Sequence, residues 1–187
     1  MRSLKTIVAA GAVFFATGNI ALAKPMLTSH GAPLDPCESR ICGRILETPV
    51  YGAWATWKVP SYQGKIRAEV AQWVGVQWSD LCQAGIASTV IAPGKVQTSL
   101  IAQDWPAPFR AVVGPKAGDT IWAFAGKGED GKAEAVVVDK TTGQQLSVSC
   151  NNEQGAGWPM AEWMIEFNKG QPRLQGAGEW ISQEWRD

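Results

Sequence analysis

Turn residues cut this chain into short pieces, and no piece carries a helical period. From Tyr51 onward apolar and polar residues alternate in brief runs, so strands are expected over 52–59, 68–78, 81–91, 96–103, 109–113, 119–125, 132–139, 144–150, 161–167 and 178–185. Between them stand Pro60-Ser61, Pro93-Gly94, Gly114-Pro115, the glycine-bounded run 128–131 and Thr141-Thr142-Gly143, all turn chemistry. Many short strands without an amphipathic helix specify an all-β fold, an antiparallel sandwich or barrel. No internal repeat is visible.

The start of the chain reads differently. Arg2 and Lys5 precede an apolar run that closes on Ala21-Leu22-Ala23, the pattern of a secretory signal peptide over 1–23. The run is too short, and too interrupted by Gly18 and Asn19, to suit a membrane anchor. A secreted or periplasmic chain beginning at Lys24 is therefore expected, with an irregular leader over 24–50 and one β-sandwich domain over 51–187. Without Arg2 and Lys5 the chain has 15 basic and 17 acidic residues, net charge −2, and no basic run. Nucleic acid is not an expected partner. Nothing points beyond a monomer.

Four cysteines in an exported chain suggest disulfides, and three pairings are open. The favoured one closes a short Cys37–Cys42 loop and joins distant strands through Cys82–Cys150. The alternative, a cysteine metal site, matches no familiar zinc spacing, so neither metal nor cofactor is expected. His30 is the only histidine, in a Pro- and Gly-rich segment. Serine or cysteine chemistry driven by histidine would have to rely on it. Acid–base work in this chain falls to carboxylates.

One strand bears on that directly. In AEWMIEF (161–167), Ala161, Trp163, Ile165 and Phe167 make one face, and Glu162, Met164 and Glu166 the other. The first is a core face. The second is either solvated, as most glutamates are, or lines a cleft. Ten tryptophans favour a cleft somewhere, although most of them are expected to pack between the sheets. Trp73 and Trp78, five positions apart, are expected on opposite faces of one strand.

Read in order, the chain contains Ala55-Thr56-Trp57-Lys58-Val59-Pro60, Trp73-Val74-Gly75-Val76, Gln83-Ala84-Gly85, Ala117-Gly118-Asp119-Thr120-Ile121, Thr141-Thr142-Gly143-Gln144 and Ala161-Glu162-Trp163-Met164-Ile165-Glu166. This ordered set resembles the glutamic peptidases, or eqolisins, over roughly residues 50–185, in a divergent and C-terminally short form. The resemblance implies a sandwich of two bent antiparallel sheets and a protein or peptide substrate. It implies a catalytic Glu at Glu166, the last residue of the A-E-W-x-x-E motif, and a catalytic Gln at Gln83 in the Gln-x-Gly motif. The Glu would activate water at acidic pH, and the Gln amide would stabilise the oxyanion. Substrate contacts are expected at Trp73, Gln77, Trp78, Gln103 and Trp105.

The chain departs from the family pattern in places. Gln77-Trp78 stand where the family has a small polar turn. Gln103 replaces an acid before the Pro-containing turn. Aligned without a gap, the family's Gln falls near Ala87; Gln83 takes the role only if the preceding loop is shortened. The sequence stops soon after Trp185, so a smaller sandwich or an open sheet edge is expected. These departures leave a non-catalytic module binding peptide or glycan, or a pseudo-peptidase of the cell envelope, as the alternatives.

Overall fold

A computed structural model describes residues 41–47, 49–128, 130–151, 157–169, 173–175 and 181–185. Among the described residues thirteen strands appear in the order β1 (Ile41–Leu46), β2 (Gly52–Lys58), β3 (Ser61–Gln63), β4 (Glu69–Gln77), β5 (Leu81–Ala92), β6 (Lys95–Asp104), β7 (Arg110–Val113), β8 (Thr120–Lys127), β9 (Ala133–Asp139), β10 (Gln145–Ser149), β11 (Met160–Lys169), β12 (Arg173–Gln175) and β13 (Ile181–Trp185). No helix occurs among the described residues. One sheet has six strands ordered β1-β11-β4-β5-β6-β7, and the other has five ordered β10-β9-β8-β2-β13. β12 and β3 form a separate ribbon. Each described pairing is antiparallel. The expected all-β antiparallel sandwich is the fold observed.

The two sheets meet through unequal faces. The five-stranded sheet offers mostly small side chains: Ala53 and Ala55 on β2, Ala123 and Ala125 on β8, Ala133 and Ala135 on β9, all buried. The six-stranded sheet answers with Val70, Val74, Val76, Ile86, Leu100, Trp163 and Ile165. Small residues opposite large ones fill the space between sheets at close-packed density. The alanines also let Trp163 reach across, where its Nε1 donates to the Trp54 carbonyl oxygen at 3.1 Å. Two pairs of buried polar groups bond in this layer: the Tyr62 hydroxyl donates to Gln72 Oε1 at 2.9 Å, and Ser88 bonds Thr98 at 2.8 Å, while Gln72 Nε2 has no partner among the described residues. Burial pushes the Tyr62 phenol well above its usual range.

Two expectations need correction. The leader expected over 24–50 gives way at Ile41–Leu46, which forms β1 and pairs with β11 from Ile41↔Glu166 to Leu46↔Ala161. Gly43 and Arg44 break its apolar alternation, and the strand is specified by the ladder it joins rather than by its own pattern. Trp78 is not on the far face of the Trp73 strand, because β4 ends at Gln77 and Trp78 begins the turn to β5. The signal peptide and Cys37 fall outside the described residues.

Cys82, near the start of β5, is bonded to Cys150, just after β10, and ties the two sheets together across 68 positions of sequence. Loop-closure entropy assigns a crosslink of that span about 4 kcal/mol. Replacing both residues by alanine is expected to lower the melting temperature by roughly 10 °C, read by thermal circular dichroism against wild type under oxidising conditions.

Candidate active site

The outer face of the six-stranded sheet carries the candidate chemistry. Strand side chains alternate, so Glu162, Met164 and Glu166 of β11 project there with Ala71, Trp73, Gly75 and Gln77 of β4, Leu81, Gln83, Gly85 and Ala87 of β5, and Ile101 and Gln103 of β6. Its centre is a second apolar cluster of Ala71, Trp73, Ile101 and Met164, flanked by Leu81 and Ala87. This outer face is almost as dry as a core, and Gln83, Gln103 and Glu162 are only 6–7 % exposed.

Ladder registers decide which of these side chains meet. Glu162 lies opposite Gly75, Gly75 opposite Gln83, and Gln83 opposite Gln103. These four form one row across β11, β4, β5 and β6. Glu166 belongs to another row, opposite Ala71, then Ala87, then Ser99. The structure therefore does not bring Gln83 and Glu166 together. Four residues separate their rows, roughly 13 Å along the strands. Glu162 and Gln83 are two strands apart, about 10 Å between backbones, with a glycine between them. The turn at Trp78–Asp80 sets this register, since Gln77 pairs with Leu81 across it. Ala87, where an ungapped reading puts the family's Gln, falls in the row of Glu166, with Ala71 between them. Counting outward from that turn pairs Gly75 with Gln83, but the place of Glu162 comes from the separate β11–β4 ladder.

Gly75 keeps the middle of the row low. A Cβ there would meet Leu81 Cδ1 at 2.9 Å and the Trp73 ring at 3.1 Å, so these two groups floor the space between carboxyl and amide. No described residue bonds the Glu162 carboxylate, and burial alone pushes its carboxyl above the ordinary glutamate value of 4.5. Trp73 Nε1 is also buried without a partner among the described residues.

Gln83 is held by its neighbours. Gln103 Nε2 donates to the Ala107 carbonyl oxygen at 2.6 Å, and Gln83 Nε2 donates to Gln103 Oε1 at 2.6 Å. Of the other expected contacts, Trp73 and Gln103 line the row and Gln77 ends β4 beside it. Trp78 and Trp105 are half exposed in adjacent turns at the same end, where Trp105 N donates to the Leu81 carbonyl at 2.9 Å.

With this geometry in view, the comparisons give it a family. A family model described as "Peptidase A4 family" matches residues 39–180, and the chain belongs to that family. A crystal structure of scytalido-glutamic peptidase with a peptide-based transition state analog aligns at TM-score 0.56 and 24% identity, covering 73% of this chain and 72% of that one. A second structure of that peptidase, with a transition state analog inhibitor, aligns at TM-score 0.56 and 27% identity, covering 69% and 65%. SCP-B, an eqolisin-family member in complex with the tripeptide Ala-Ile-His, aligns at TM-score 0.52 and 26% identity, covering 69% and 64%. No curated protein matches the chain. The class these findings define is a glutamic-type peptidase, a hydrolase.

Because the folded-state pKa of Glu162 is raised, its ionisation destabilises the fold. The native state holds its proton to higher pH than the unfolded chain, so this cost is absent at low pH and complete above the folded pKa. Glu162→Gln is expected to raise the melting temperature at pH 7 and to lose that advantage below about pH 4. Thermal melts of both proteins across pH 3–8 measure this.

Proposed function

We propose that this chain is an exported endopeptidase that hydrolyses peptide bonds in mildly acidic conditions, with Glu162 as general base and Gln83 as oxyanion stabiliser. The observation that carries the reading is the single row Glu162–Gly75–Gln83 on a nearly dry face. A water held over Gly75 donates to the Glu162 carboxylate and to Gln83 Oε1. Glu162 takes its proton as the oxygen attacks the substrate carbonyl. The remaining Nε2–H of Gln83 stabilises the oxyanion. Protonated Glu162 then returns the proton to the leaving amine, so the cycle closes on this chain's own groups. Trp73 and Met164 exclude solvent, which strengthens these interactions. The peptide-like ligands of the solved relatives support a peptide substrate. Residues 1–23 support export.

Because burial raises the Glu162 pKa, the acid limb of kcat/KM is expected above the ordinary value near 4.5. Cleavage of an unfolded protein by the chain from Lys24 is expected to fall at least about a hundredfold in Glu162→Gln and in Gln83→Ala, and to persist in Glu166→Gln. Loss in Glu166→Gln with retention in Glu162→Gln would return the role to the residue the sequence motif nominates.

A second reading rests on Ala87. It stands in the Glu166 row, so that glutamate has no amide facing it. On this reading the face binds peptide or glycan without cleaving it. Folded wild type would then be inert at every pH, while its tryptophan fluorescence would respond to such ligands. Ala87→Gln, which supplies the missing amide, would create activity dependent on Glu166.

A further inference from the structure

An amide can stabilise an oxyanion only if nitrogen, not oxygen, is on the side where the charge develops. A glutamine amide has nearly the same shape in both orientations, so its neighbours must choose. Here they do so through a chain of three groups. The Ala107 carbonyl only accepts, so the Gln103 amide must turn Nε2 toward it, as its 2.6 Å bond records. Gln103 Oε1 then faces Gln83, which must answer with Nε2, again at 2.6 Å. Turning either amide over would set oxygen against oxygen inside a layer where both side chains are 6 % exposed. That arrangement loses buried hydrogen bonds and puts repulsions in their place.

We propose that Gln103 is a positioning residue for Gln83: held by the Ala107 carbonyl, it fixes which atoms Gln83 turns toward the cleft. It leaves one Nε2–H and Oε1 of Gln83 uncommitted among the described residues. The inference rests on the peptidase reading for its catalytic consequence, but the relay itself is a matter of side-chain geometry. Neither amide titrates, so the relay is the same across the working pH range. The acid that the family pattern has at this position would hold such a relay only while protonated. The ionisable side chains around the pair are few. Glu162 on β11 shares its row; Asp80 lies in the turn before β5, Asp104 projects to the other face of β6, and Arg110 of β7 stands opposite Ala102.

The test uses Gln103→Ala and Gln103→Glu, each first melted to establish that it folds. The Gln83 side-chain amide is followed by 1H–15N NMR, and kcat and KM are measured from pH 3 to 7. In Gln103→Ala the Gln83 amide signals are expected to move and lose their slow exchange, while kcat falls roughly tenfold, less than when the donor itself is removed, and KM changes little. In Gln103→Glu a protonated carboxyl can still donate to Ala107 and accept from Gln83. Near-normal kcat at low pH, lost as the introduced carboxyl ionises, is therefore expected. Unchanged Gln83 amide signals in Gln103→Ala, or a Gln103→Glu profile parallel to wild type, overturn the relay. Moved amide signals with cleavage indifferent to Glu162→Gln and Gln83→Ala would uphold the relay and overturn the peptidase reading instead.

Discussion

Ladder register around β4 is the constraint on which the site depends. Strand side chains alternate with period two, and each antiparallel partner is fixed residue by residue. The three-residue turn after β4 sets Gly75 against Gln83, and the β11 pairing sets Gly75 against Glu162. A slip of one residue in either ladder would send the carboxylate or the amide into the sandwich interior. Burying an unpaired carboxylate there is costly, and the valines and isoleucines now inside would face solvent. The core thus protects the register, and the register assembles the row.

Packing between the sheets serves the same end. The alanine face of β2, β8 and β9 brings the five-stranded sheet close beneath β4, β5 and β11. Trp163 is anchored through it to the Trp54 carbonyl, one residue from Glu162 and on the opposite face. The Cys82–Cys150 bond fixes the start of β5 immediately beside Gln83. Glu162 and Gln83 therefore each neighbour a tie to the second sheet, and such rigid support suits preorganised electrostatic catalysis. The outer face stays nearly dry because Trp73, Met164, Ile101 and Leu81 leave little room for bulk water.

Much of this was legible in the sequence. Strand periodicity and turn residues gave the expected strands β2, β4 to β11 and β13, and the ordered motifs pointed to the family. β1, β3 and β12 were missed. β3 and β12 have three residues each, too few to show a period, and β1 carries Gly43 and Arg44. The role of Glu162 was left open because a motif ties a function to a position in a string. The sheet ties it to a row instead. Gln83 and Glu166 each fit a motif, yet their rows lie four residues apart along the strands, while Glu162 reaches the Gln83 row through a glycine that no motif marks as part of the site. The Gln103–Ala107 bond was beyond the sequence as well, since it joins a strand side chain to a turn carbonyl.

The most direct test of the central claim is a crystal structure with a peptide-based transition-state analogue. The tetrahedral centre is expected over Gly75, with one oxygen within hydrogen-bond distance of Glu162 and another of Gln83 Nε2. An analogue centred over Ala71 and bonded to Glu166, with Glu162 and Gln83 untouched, would contradict the account.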